Sequence, residues 1–152
     1  YSRFPLFIKR LSLPQLSQKH AGNPRQKLHF FWDRKNCKEV EKVDETLTLH
    51  RISDSEFLSY MSRCSGYITT AGFESICEAM YLGKPVMLIP AHLEQQINAA
   101  DAHGIGAGIV AKSFDISRLV DFISEYDAET ERFRAWVNSA EQRIVALLES
   151  VS

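Results

Sequence analysis

A chain of 152 residues, 45% hydrophobic and 24% charged, has the size and make-up of one soluble globular domain with a full core. No apolar run approaches the roughly 20 residues that span a bilayer, and no signal peptide opens the sequence, which argues against a spanning or secreted protein. Net charge is only −1, and there is neither a nucleic-acid-binding motif nor a basic run interleaved with aromatics, so a nucleic-acid partner is not expected.

In chain order, Phe4, Phe7, Ile8 and Leu11 share a helical face, with Pro5 tolerated in the first turn, so their spacing predicts a helix. A parallel sheet normally starts with a strand. The favoured reading puts that strand upstream of Tyr1, and the alternative uses Phe4 to Ile8 itself. Leu13-Pro14 breaks the helix, a short helical piece follows from Gln15 to His20, and Ala21-Gly22-Asn23-Pro24 is a turn cluster. Lys27 to Trp32 reads as a strand from its aromatics, Asp33 to Asp44 as a charged, mobile loop, and Thr46 to His50 as the next strand. Ser53 and Asp54 cap a helix from about Ser55 to Arg63, with Phe57, Leu58 and Met61 inward.

Tyr67-Ile68-Thr69 is β-prone and ends at Thr70-Ala71-Gly72, where small residues let the chain turn sharply. Phe73 to Leu82 has helical spacing, with Ile76, Ala79 and Met80 on one side. Gly83-Lys84-Pro85 ends that helix, because glycine suits a left-handed cap and proline cannot continue. Pro85 to Ile89 is a continuous apolar run, as expected of a parallel strand buried on both faces. Past Pro90, a polar loop opens a helix that ends at Gly104. Gly106 to Val110 is a short strand and Asp115 to Tyr126 an amphipathic helix. A last helix, Glu129 to Glu149, lines up Phe133, Trp136, Val137, Ala140, Ile144, Leu147 and Leu148, to pack on this domain or to reach a neighbour.

This alternation, without repeats or low-complexity segments, predicts an α/β fold: a doubly wound, mainly parallel Rossmann-like sheet with helices on both faces. Residues 1–152 form a single domain in this reading. Ligands of such sheets sit beyond the carboxyl ends of the strands, where two successive strands here deliver polar residues.

Each of those polar features has two readings. Thr70-Ala71-Gly72 opening a helix is suited to an anion, or is a plain strand-to-helix turn. It is neither G-x-G-x-x-G nor a P-loop, since Lys84 follows one glycine and closes a helix. Ser75 and Glu78 are a capping box, or Glu78 accepts both hydroxyls of a vicinal diol. Glu94, Gln95 and Gln96 suit sugar hydroxyls, or are a solvated helix start. Of five scattered histidines, only His92 falls near this edge. Ser75 lacks a G-x-S-x-G elbow and Cys77 sits in an apolar helix, so neither is a nucleophile candidate. Cys37, Cys64 and Cys77 are odd in number and form no C-x-x-C, which favours buried thiols in a reducing, cytoplasmic compartment and no zinc site.

Charge is also uneven. Residues 1–42 carry ten Lys/Arg against three Asp/Glu, and the remainder eight against sixteen. The basic third is a solvated face, or it meets a phosphorylated acceptor or an anionic membrane surface, which would place the protein peripherally at the inner face.

Taken together, TTAGFESICEAMYLGKPVMLIPAHLEQQINA resembles the donor-binding signature of B-fold (GT-B) glycosyltransferases that use a sugar nucleotide. It is similar to the bacterial peptidoglycan N-acetylglucosaminyltransferase group and, more distantly, to the plant UDP-glycosyltransferases. The resemblance covers about Leu47 to Val110, and its combination of glycine turn, Glu78, G-K-P and P-x-x-x-E-Q-x-x-N-A is more specific than any piece. It implies one half of a B-type fold: the UDP-sugar donor half of an inverting hexosyltransferase, with the N-terminal acceptor domain and the catalytic base absent from this chain.

Thr70, Gly72, Phe73 and Ser75 would then hold the diphosphate, Glu78 the ribose, and Glu94 and Gln95 the transferred sugar. The backbone at Ile52 would read uracil, with Arg51 and Phe57 along that wall. Thr70 stands where the plant pattern has a phosphate-binding histidine, and Glu74 where it has asparagine; a carboxylate there repels phosphate. No cofactor and no metal are expected, because no D-x-D lies near the site and Asp54-Ser55-Glu56 is a helix cap. The alternatives are a non-catalytic nucleotide-sugar-binding subunit acting with a partner chain, and a sugar-nucleotide epimerase sharing the fold.

Overall fold

In the computed structural model, which describes residues 6–9, 26–32 and 38–150, seven strands and five helices follow one another along the described chain. The strands are β1 (Leu6–Lys9), β2 (Leu28–Trp32), β3 (Val40–Lys42), β4 (Leu47–Arg51), β5 (Gly66–Thr69), β6 (Val86–Leu88) and β7 (Gly108–Val110). The helices are α1 (Asp54–Arg63), α2 (Phe73–Tyr81), α3 (Leu93–Gly104), α4 (Ile116–Glu125) and α5 (Thr130–Ser150).

All strands join one sheet in the order β3-β4-β2-β1-β5-β6-β7, parallel except for β3. The chain therefore leaves β1 toward β2 and β4, and leaves β5 in the opposite direction toward β6 and β7. The reversal lies between β1 and β5, and in such sheets the crevice at that switch point is where ligands bind.

Strand alternation builds a core on each face. Phe31, Tyr67, Val86 and Leu88 point toward α1, α2 and α3, where they meet Phe57, Met61, Ile76, Ala79 and Ala99. Phe30, Ile68 and Met87 point to the other face, where Ile116 and Leu119 of α4 cover them. The expected doubly wound α/β fold is the one observed.

Gly83, as expected, and Gly106, rather than the expected Gly104, close their helices in the same form. Gly83 has φ 67°, with its N–H donating to Met80 O at 3.1 Å and the Lys84 N–H to Ala79 O at 2.8 Å. Gly106 has φ 74°, with its N–H donating to His103 O at 3.0 Å and the Ala107 N–H to Ala102 O at 2.9 Å. Each pair of bonds closes a Schellman cap on α2 or α3.

Three expectations are corrected. Leu6–Lys9 is a strand, not part of a helix, and it pairs with β2 and β5 at the middle of the sheet. Four apolar-rich residues fit either period, and the two open strand edges decide. The rest of that segment, through Pro24, lies outside the described residues. The charged stretch before Asp44 contains β3, whose exposed Val40-Glu41-Lys42 forms a charged antiparallel edge. Asp44 sets its return, accepting from Thr46 N at 2.7 Å and Leu47 N at 2.8 Å. Leu58 is 41% exposed rather than inward.

The last helix, for which packing on this domain and reaching a neighbour were both open, is α5, and it has no buried residue. Its first turns dock on α2: Arg134 donates to Tyr81 O at 2.8 Å and lies over the Tyr81 ring. Farther along, Trp136 is 54% and Leu147 66% exposed, so the apolar face does not pack on this domain along its length.

Between β2, β4 and α1 lies a pair that the sequence did not flag. His29 Nδ1 and His50 Nε2 are 2.8 Å apart, beside Phe31 and Tyr60. Burial, then His50, Lys27 and Arg63, lowers the His29 pKa from 6.5 to about 4. Burial also lowers that of His50, against a raising effect from Glu56. Both folded-state values lie below the unfolded ones, so this pair's stability contribution is complete above pH 6.5 and is lost as pH falls toward 4. We expect a loss of about 1–2 kcal/mol by pH 5 in denaturant melts, reduced in His29→Phe, where only the contribution of His50 is left.

Candidate functional site

At the carboxyl edge of the sheet, beside the switch point, is a cavity of about 630 Å³. Three consecutive crossings supply its wall. Ile52, Asp54, Phe57 and Leu58 follow β4; Gly72, Phe73, Glu74, Ser75 and Glu78 follow β5; Glu94 follows β6.

The turn from β5 into α2 shapes one side. Its left-handed residue is Ala71, with φ 67°, while Gly72 as N-cap has an ordinary φ of −66°. An L residue in that conformation costs roughly 1–2 kcal/mol and persists where the surroundings hold it. Ala71 is fully buried, and its carbonyl accepts from Asn98 Nδ2 at 3.2 Å.

The first bond of the α2 ladder runs from Ile76 N to Gly72 O, at 3.2 Å. The N–H groups of the preceding turn fall outside the ladder, and with the helix dipole they make this end of α2 electropositive. Beneath it, Ser75 Oγ donates to Gly72 O at 3.1 Å and sits 3.4 Å from Thr69 Oγ1. The Tyr67 phenol below is pushed up to about 12 by burial.

Helix α2 thus begins at Phe73, and Ser75 lies inside its first turn. Ser75 is not an N-cap, so Ser75 and Glu78 are not a capping box. Glu78 stands on the second turn and lines the cavity, as do Phe73, Glu74, Ser75 and Gly72.

The remaining candidates divide. Ile52, Phe57 and Glu94 also line the cavity. The Ile52 N–H donates to Trp32 O at 3.1 Å, so it is already engaged in the backbone. Arg51 is exposed and pairs with Glu39 of the β3 segment at 3.0 Å, away from the lining. Thr70 Oγ1 accepts from Gln95 Nε2 at 3.3 Å, and Gln95 Oε1 accepts from Ala91 N at 2.9 Å, so the amide of Gln95 ties two loops together. His92 is the exposed N-cap of α3. Asp54 and Leu58 were missed as lining residues because their local pattern signals only a cap and a core face. The start of α1 just past β4 puts them there.

The charge of the lining is one-sided. Asp54, Glu74, Glu78 and Glu94 are acidic, and no Lys, Arg or His stands among the described residues of this wall. Carboxylates are acceptors for hydroxyl groups, two at a time when a diol presents itself. Among the described residues, the electropositive groups on this wall are helix N-termini: that of α2, with those of α1 at Asp54 and of α3 at Glu94 beside it. No group of three or more His, Cys, Asp or Glu able to hold a metal ion occurs among the described residues. Nor, among them, is any helix long and apolar enough to cross a membrane.

Residues 12–126 match glycosyl transferase family 1. Mogroside IIIx synthase of Siraitia grosvenorii is 38% identical over 47 residues, 31% of this chain and 10% of that protein. A Caenorhabditis elegans protein named as a UDP-glucuronosyltransferase is 29% identical over 92 residues, 60% of this chain and 17% of that one. The glycosyltransferase of kitacinnamycin superposes with a TM-score of 0.67 at 19% identity, covering 96% of this chain and 43% of that structure. An Arabidopsis thaliana enzyme solved with UDP-L-rhamnose gives 0.56 at 19% identity, covering 92% and 38%. The chain spans less than half the length of these structures, and the likeness carries over the fold.

Proposed function

Because this chain belongs to glycosyl transferase family 1, we propose that its edge cavity holds the UDP-sugar donor of an inverting sugar transfer. The acceptor and the catalytic base then come from a second half, a domain or a partner chain. The observation that carries this reading is a convergence: the N-terminus of α2 and the Glu78 carboxylate face one cavity beside the switch point.

In this reading the first turn of α2 receives the diphosphate, with Gly72, Phe73 and Ser75 nearest and Thr70 supporting the turn behind. As the glycosidic bond breaks, negative charge grows on the departing diphosphate, and oriented N–H groups at a helix end stabilise it. Glu78 takes the ribose hydroxyls and Glu94 those of the sugar, with Gln95 holding the loops from behind. Glu74 opposes phosphate and is assigned no contact with it. The wall at Ile52 and Phe57 is left for the base. No metal is given a role.

A nucleotide-sugar-binding subunit working with a partner chain differs only in whether the two halves share one polypeptide. Both versions expect this chain to bind a UDP-sugar and to transfer nothing to an acceptor by itself. Robust turnover by the purified 152-residue chain would overturn the two-half reading.

The membrane-facing role of the basic third stays within the proposal. Arg10, Lys19, Arg25, Arg34 and Lys35, which carry much of it, lie outside the described residues. Its test is binding to anionic vesicles that fades as salt rises.

Gly72 offers a cleaner check of the cavity. A Cβ there would meet only Ser75 Oγ, at 3.7 Å, and φ is already ordinary. Gly72→Ala is therefore expected to keep or raise stability, by about 0.4–1 kcal/mol. The methyl group projects where a phosphate must approach, so UDP affinity should fall about tenfold, roughly 1.4 kcal/mol, in a titration run beside a thermal melt.

A further inference from the structure

Two amide side chains of α3, three residues apart, close on the turn between β5 and α2. Gln95, only 7% exposed, accepts from Ala91 N–H at 2.9 Å and donates to Thr70 Oγ1 at 3.3 Å. Asn98 donates to the Ala71 carbonyl at 3.2 Å. Between those two ties stands Ala71, a buried L residue at φ 67°. No glycine supplies that conformation, so neighbouring contacts must hold it. A side-chain N–H on the Ala71 carbonyl fixes the orientation of the peptide plane that leads into Gly72, and with it the first turn of α2.

We propose that Asn98, with Gln95 as a second tie, is a positioning residue for the donor's phosphates. It holds residue 71 left-handed and so sets where the N–H groups of Phe73, Glu74 and Ser75 point. Released from that tie, residue 71 relaxes toward negative φ, the peptide plane rotates, and the N–H groups lose their common target. The ribose and base contacts lie farther along α2 and after β4, and they are left in place. This inference rests on the cavity being the donor site.

The test uses Asn98→Ala and Asn98→Asp, the second keeping the shape while removing the donor, and Asn98→Ala combined with Ala71→Gly. Each is titrated with UDP and with uridine, and amide hydrogen exchange is followed at residues 71–75. Either Asn98 substitution should speed exchange at those amides while the sheet stays protected. UDP affinity should fall about tenfold, and uridine affinity should change less than twofold. Glycine at 71 adopts the left-handed conformation without steric cost, so the double variant should regain at least threefold in UDP affinity.

Unchanged exchange together with unchanged UDP affinity overturns the role of Asn98. So does an equal loss for UDP and uridine, which marks a general loosening. If the wild type binds neither ligand, it is the donor reading that fails, and the exchange at residues 71–75 still decides whether Asn98 holds the turn.

Discussion

Replacing Glu78 with alanine is expected to weaken UDP binding by about 1.5–3 kcal/mol, roughly ten- to a hundredfold or somewhat more. A carboxylate receiving two ribose hydroxyls makes charge-assisted hydrogen bonds, about twice as strong as neutral ones. Gly72 is the N-cap of α2, so Glu78 contributes no cap, and alanine is the better helix former. Wild type should prefer UDP to 2′-deoxy-UDP, and the folded fraction of Glu78→Ala should lose that preference. A variant that still prefers the ribose form places the diol on another residue.

The second large effect concerns the far edge of the sheet. A Cβ built on Gly108 would stand 2.6 Å from Val86 O and 3.3 Å from Val86 Cβ on the neighbouring strand. Backbone cannot move aside as a flexible side chain can, so Gly108→Val must push β7 away from β6. The displacement also loosens the bond between His103 Nδ1 and Gly108 O, now 3.0 Å. A loss of about 2–3 kcal/mol is expected, lowering the melting temperature by roughly 5–10 °C. Gly104 is the control: nothing stands within 4 Å of its added Cβ, and Gly104→Ala should leave stability unchanged or higher. Because β7 contributes nothing to the cavity wall, donor affinity of the folded Gly108 variant should match wild type. A Gly108→Val protein as stable as wild type would contradict the close approach of β6 and β7.

The contrast between Gly72 and Ala71 shows what the sequence could disclose. The order of strands and helices from Leu47 onward is local information: apolar runs, the stop at Gly83, and the break at the glycines after His103, although the left-handed one is Gly106 and not Gly104. Those signals act within a few residues and are legible in the chain. Ala71 is not legible in that way. Small residues at 70–72 announce a turn, and glycine draws attention as the permissive one, yet the left-handed residue is the alanine beside it. What holds it is Asn98, 27 positions along the chain, and only the packing of α3 against the turn brings the two together.

The same holds for β1. Its four residues carry no decisive period of their own, and two flanking strands assign their state. Glu78, Gly72 and Glu94 were legible as a motif, and the cavity contains them all. The engagement of Gln95 with Thr70, and of Arg51 with Glu39, depends on which neighbours the fold supplies. The four-carboxylate wall is likewise a tertiary property, since Asp54 joins Glu74, Glu78 and Glu94 only when α1 is set beside α2.

The central claim, that this cavity receives the UDP part of the donor, is tested most directly by titrating isotope-labelled protein with UDP and following its amide resonances. The expected result is a saturable set of shifts concentrated at Ile52, at residues 72–75, at Glu78 and at Glu94, with β3, α4 and the distal half of α5 silent. No saturable change up to millimolar UDP would contradict the account. So would shifts centred elsewhere, for example on the groove formed by Ile105, Phe133 and Trp136.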